Sequence, residues 1–148
     1  MKALILTDVA DTSKPFIHQI ADFLRSAEVE PLIMAYDNDY RALFESEGHG
    51  IGVVLADTSK IHGRNPIQAL RRNISGTPVL GFSSTSVLDQ GRHNHASYNA
   101  EQLADLFSIR AYVRYEDGAQ AIVARALEIA SPPKGPNLAD ELYPSNGS

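Results

Sequence analysis

Apolar residues along this chain come in short runs, each stopped by a polar or turn-forming residue and most followed by a stretch with helical spacing. Ala3–Thr7, Pro31–Tyr36, Ile51–Asp57 and Pro78–Phe82 are such runs. A short apolar run bounded by Gly and polar punctuation suits a strand buried on both faces of a parallel sheet. The run that starts at Ile51 stops abruptly at Asp57, which places this carboxylate at the carboxyl end of a central strand, where open α/β sheets hold their ligands. Ile109–Tyr115 instead alternates apolar and polar residues, as an edge strand with one exposed side does.

The intervening segments carry the helices. Ser13 reads as an N-cap with Pro15 in the first turn, and Phe16, Ile17, Ile20, Phe23 and Leu24 form an apolar stripe through Glu28. Tyr40–Glu47 buries Leu43 and Phe44 and stops at Gly48-His49-Gly50; Ile67–Asn73 makes a short basic helix. Asn99 caps a helix that runs to Phe107 with Leu103 and Leu106 inward. Gly118–Ala130 closes the domain with Ile122, Val123, Ala126, Leu127 and Ile129 on its apolar side. Val87–Tyr98 has no clean period and reads as a long loop or a broken helix. Strands alternating with helices imply right-handed crossovers, hence an α/β three-layer sandwich around a five-stranded parallel sheet.

Composition narrows this picture. At 148 residues the chain is expected to form one domain over 1–131, followed by a flexible tail, 132–148, rich in Pro, Gly, Asn and Ser. A net charge of −5 argues against a nucleic-acid binder. The absence of Cys excludes disulfides and thiolate chemistry and fits a cytoplasmic protein. The apolar start of MKALILTD is too short for a signal peptide or a membrane span.

Asp57 reads either as a ligand group or as a loop anchor, and Asp8, just past the first strand, as a metal ligand or a turn former. If their strands are neighbours, both carboxylates reach one rim, where a cation would relieve their repulsion. The hydroxyl run Ser83-Ser84-Thr85-Ser86 could hold an anion or be a solvated loop. His62, His93 and His95 lie in loops on the same expected rim and, with Asp57, make a candidate transition-metal site, although such histidines also occur in loops without metal. No Gly-rich phosphate cradle opens a helix, and no Gly-x-Ser-x-Gly elbow supports a hydrolase.

Asp8 after strand one, Asp57 closing strand three and TPVLGFS ending strand four in Ser83 resemble a response-regulator receiver domain over roughly residues 1 to 130. The resemblance implies a flavodoxin-like sheet of order 2-1-3-4-5. It also implies Asp57 as the phosphoacceptor position, Mg²⁺ on Asp8 and Asp57, Ser83 as the switch hydroxyl and Tyr112 as the aromatic that changes rotamer with it. Protein partners, or a second copy in a homodimer, are implied on residues 99–130. Two positions depart from that pattern. Thr7 stands where a second carboxylate would partner Asp8, and Arg114 stands where a Lys would follow strand five. The chain is also similar to the receiver-like wing domain at the amino terminus of bacterial Orn/Lys/Arg decarboxylases, which lacks the phosphorylation set.

These features predict a non-catalytic receiver-like module with a degenerate phosphorylation site. One alternative is a phosphorylatable, Mg²⁺-dependent receiver. Another is a small nucleoside- or NAD-processing enzyme of the deoxyribosyltransferase or TIR-like kind, which would need a catalytic Glu after the central strand. No Glu or Asp occurs from Thr58 to Ile74.

Overall fold

The structure, a computed structural model, describes residues 1–8, 11–36, 50–59, 76–84, 99–107 and 109–130. Five strands form one sheet: β1 Lys2–Thr7, β2 Glu30–Ala35, β3 Ile51–Asp57, β4 Val79–Phe82 and β5 Ala111–Val113. All neighbours are parallel, and the order is β2-β1-β3-β4-β5, as the resemblance implies. Helices α1 Pro15–Ser26, α2 Ala100–Phe107 and α3 Gly118–Ile129 cover it.

Successive strand residues point to opposite faces, and the core divides accordingly. Ile17, Ile20, Leu24, Ile122, Val123 and Ala126 of α1 and α3 pack on one face, against Ile5, Val53, Leu55, Leu80 and Phe82. Leu4, Leu6, Val54, Val79 and Tyr112 pack on the other, with Leu103 of α2. Every residue of β3 is buried, which explains its unbroken apolar run.

Three details differ from the pattern-based expectation. Helix α1 is capped by Lys14, not Ser13, and Lys14 makes no side-chain cap hydrogen bond. The helix also ends two residues before Glu28. Glu28 takes the left-handed conformation (φ 63°), and the Glu28 and Val29 amides bond back to the carbonyls of Arg25 and Leu24 at 2.9 Å, a Schellman turn. Strand β5 lacks the half-exposed character expected of an edge. Its three residues are all buried, Ala111 and Val113 in one core and Tyr112 in the other, because α3 and α2 cover both faces.

Helix α2 begins as expected. The Asn99 amide donates to Gln102 Oε1 and the Gln102 amide to Asn99 Oδ1, each at 2.8 Å, a reciprocal capping box. No helix among the described residues is long and apolar enough to cross a membrane. The expected helices at 40–47 and 67–73, the 87–98 segment and the tail lie outside the described residues.

Candidate functional site at the carboxyl rim of the sheet

Register brings the site together. Leu6 of β1 pairs with Ala56 of β3, so Thr7 and Asp57 follow side by side, while Asp57 itself pairs with Phe82, so that Ser83 and Ser84 continue onto the same rim. Asp57 is 3% exposed. Its Oδ2 accepts hydrogen bonds from Thr7 Oγ1 and Ser84 Oγ, both at 2.6 Å, and its Oδ1 accepts the Ser59 amide at 3.0 Å. A carboxylate only accepts, so both hydroxyls must donate. Each such bond to a charged group contributes about 1.5–3 kcal/mol, which offsets the cost of burying the carboxylate.

A second ring of bonds fixes these donors. Ser59 Oγ accepts the Ser84 amide at 2.7 Å and lies 3.3 Å from Ser84 Oγ, and Tyr36 donates its hydroxyl to the Asp57 carbonyl at 3.0 Å. Lys14 Nζ donates to the Ser84 carbonyl at 3.3 Å and lies 4.0 Å from Asp11 Oδ1.

Behind Asp57, Thr58 Oγ1 donates to the Phe82 carbonyl at 3.2 Å and lies 2.6 Å from the Tyr112 hydroxyl. Either hydroxyl of this pair can donate to the other. Burial of the phenol, 7% exposed, pushes its pKa above the ordinary value. The Asp57 charge adds to that push, while hydrogen bonds with Thr58 and Ser83 and the charge of Arg114 oppose it.

The Tyr112 ring has its place because residue 81 is Gly. A Cβ there would lie 2.8 Å from the ring and 2.5 Å from Ile109 Cδ1. Gly in mid-strand marks such a close approach.

Of the residues singled out from the sequence, Asp57, Thr7 and Tyr112 converge here. Asp8 is half-buried one residue beyond Thr7. Ser83 meets Tyr112 through a side-chain hydrogen bond and its Oγ accepts the Tyr115 amide at 3.0 Å, while the hydroxyl on Asp57 belongs to its neighbour Ser84. Arg114 is partly exposed at the end of β5, and among the described residues no ion pair joins it to Asp57. His62, His93 and His95 lie outside the described residues. No group of three or more His, Cys, Asp or Glu able to hold a metal occurs among the described residues.

Sequence reasoning missed Ser59, Thr58, Asp11 and Lys14, and held Ser84 only as one member of a hydroxyl run. For the serines the hydroxyl-rich stretches were visible, but which hydroxyl faces Asp57 depends on the residue at which each strand ends, since one step reverses the face. Lys14 did carry a signal: a lysine directly before Pro15, where a capping oxygen is favoured.

No protein-family model matches the sequence, and no curated protein sequence matches it. Solved structures do. A response regulator receiver protein from Burkholderia phymatum superposes with TM-score 0.58 at 22% identity, over 89% of this chain and 99% of that one. A chain from the complex of histidine kinase ThkA with response regulator TrrA gives 0.53 at 14%, over 88% and 98%. A chain of the RPS4–RRS1 TIR domain heterodimer gives 0.54 at 14%, over 86% and 94%. The fold is therefore the receiver-like α/β sandwich, an architecture close enough to a TIR domain that residues at the rim, and not the sheet, must decide the chemistry.

Proposed function

We propose that this chain is a cytoplasmic receiver-like signalling module that acts through protein contacts, with its phosphoacceptor position altered away from metal-assisted phosphorylation. The observation that carries this reading is the set of partners on Asp57: two hydroxyls and one amide, all donating. Phosphoryl transfer to a carboxylate brings two negative groups together, and positive charge, supplied in receivers by Mg²⁺, is what makes this tolerable. Mg²⁺ demands oxygen acceptors in near-octahedral array. The Asp57 surroundings instead complement a bare carboxylate, Thr7 replaces a second carboxylate, and no cluster of metal-ligating side chains occurs among the described residues. The residues present do not fit the ion.

The contact surface in this reading is residues 99–130. Between α2, β5 and α3 runs a groove of about 470 Å³ lined by exposed Glu101 and Asp105 of α2, by exposed Arg110 just before β5 and by exposed Arg125 of α3. A second copy related by a two-fold axis would set Glu101 and Asp105 against the arginines of its mate, the self-complementarity that a homodimer needs. A kinase-type partner, as ThkA is for TrrA, is the other occupant of this surface. The enzyme reading is disfavoured by the lack of any Glu or Asp from Thr58 to Ile74.

Ser84 on Asp57, with Tyr112 tucked behind, favours one second reading, a receiver that still accepts phosphate. Incubation with acetyl phosphate and Mg²⁺ followed by intact-mass measurement separates the two. The proposal expects unmodified protein. A phosphoryl adduct that disappears in Asp57→Asn would establish the second reading in its place.

A further inference from the structure

Lys14 is out of place as a helix cap. Position N-cap favours Ser, Thr, Asp or Asn, and a cation there opposes the helix dipole. Ser13 is adjacent and would suit the role, yet α1 starts after Lys14, which caps nothing with its side chain. A local rule broken without local gain points to use elsewhere. The ammonium crosses instead to the sheet rim. It donates to the Ser84 carbonyl at 3.3 Å and stands 4.0 Å from Asp11 Oδ1, with 29% of the lysine side chain and 8% of the aspartate side chain exposed. The turn leading to it is tied by the Asp11 amide on the Asp8 carbonyl (2.8 Å) and the Lys14 amide on the Asp11 carbonyl (2.9 Å).

We propose that the Lys14 ammonium is the resident cation of this rim, standing in for the divalent ion that does not fit and bridging the turn after β1 to the end of β4 through Asp11 and the Ser84 carbonyl. The inference rests on the metal-free reading of the Asp57 pocket. Asp11 is the carboxylate that the ammonium reaches, and a fixed positive charge beside it supplies charge to the rim without metal geometry. Ser84 is thereby held twice, its hydroxyl by Asp57 and its carbonyl by Lys14.

The test uses Mn²⁺ as the probe, with free ion followed by electron paramagnetic resonance on the full chain. The natural chain is expected to bind Mn²⁺ weakly. Lys14→Met and Lys14→Gln, each checked for fold by circular dichroism, should raise the affinity at least about tenfold, the effect of removing one unit charge near the site. Adding Asp11→Asn should abolish the gain, and Lys14→Arg should behave as the natural chain does. Unchanged affinity in both neutral variants, or a gain indifferent to Asp11→Asn, overturns the role of Lys14 while leaving the hydroxyl-held pocket intact. Tight binding by the natural chain, lost in Asp57→Asn, overturns that pocket reading and the Lys14 proposal with it.

Discussion

A buried carboxylate needs either a positive partner or enough hydrogen bonds to replace water. At Asp57 the second solution is used, and the residues that supply it are small: Thr7, Ser84 and the amide of Ser59. Tyr112 extends the same network into the core through Thr58 and gives it a pH signature. Burial holds the phenol above its ordinary value near 10, so the unfolded chain gives up that proton first. The stabilisation from this group is therefore complete below about pH 10 and declines as pH climbs toward the higher folded value. In an ultraviolet titration of phenolate, one tyrosine should ionise later than the rest, and that lagging component should be missing from Tyr112→Phe. A titration in which the substitution removes an ordinary component would refute the buried phenol.

At the scale of elements, β4 and β5 depend on one another through a glycine. Gly81→Ala would press a methyl into the Tyr112 ring and Ile109, and overpacking of this kind costs about 1–3 kcal/mol. Urea unfolding should register that loss, and Tyr112→Ala in the same chain should recover part of it, because the two changes share one space. Purely additive losses would mean that the ring and the glycine are not in contact.

Much of this scale was legible beforehand, and for a physical reason. Burial on both faces leaves an unbroken apolar run, so β3 could be placed to the residue, and the capping box at Asn99 is written in the side chains that form it. Strand β5 was misjudged because alternation was taken for exposure; Arg110 and Arg114 flank the strand, while Ala111, Tyr112 and Val113 each find a covered face. Helix α1 starts one residue later than a Ser13 cap predicts, and Lys14 at the cap reaches across to the Ser84 carbonyl, a tertiary contact that local preference does not specify.

For the molecule as a whole, parallel pairing follows from the alternation of strands with helices, the strand order is the one the receiver resemblance implies, and the likeness to the Burkholderia phymatum receiver protein agrees with both. That the end of β1 would share a rim with Asp57 was expected, since neighbouring parallel strands end together, but the expected partner was Asp8 and the residue that bonds Asp57 is Thr7. What the rim does was less legible, because the choice between metal and hydroxyl depends on side-chain directions rather than residue types.

The central claim is that Asp57 is satisfied within the chain and needs no Mg²⁺. A ligand that binds only the folded state raises stability by about 2.7 kcal/mol at a hundred times its dissociation constant, so any Mg²⁺ site formed on folding must move the unfolding transition. Urea unfolding of the natural chain with and without Mg²⁺, at matched ionic strength, is the most direct measurement. Superimposable transitions are predicted; a midpoint raised by Mg²⁺, and no longer raised in Asp57→Asn, would contradict the account.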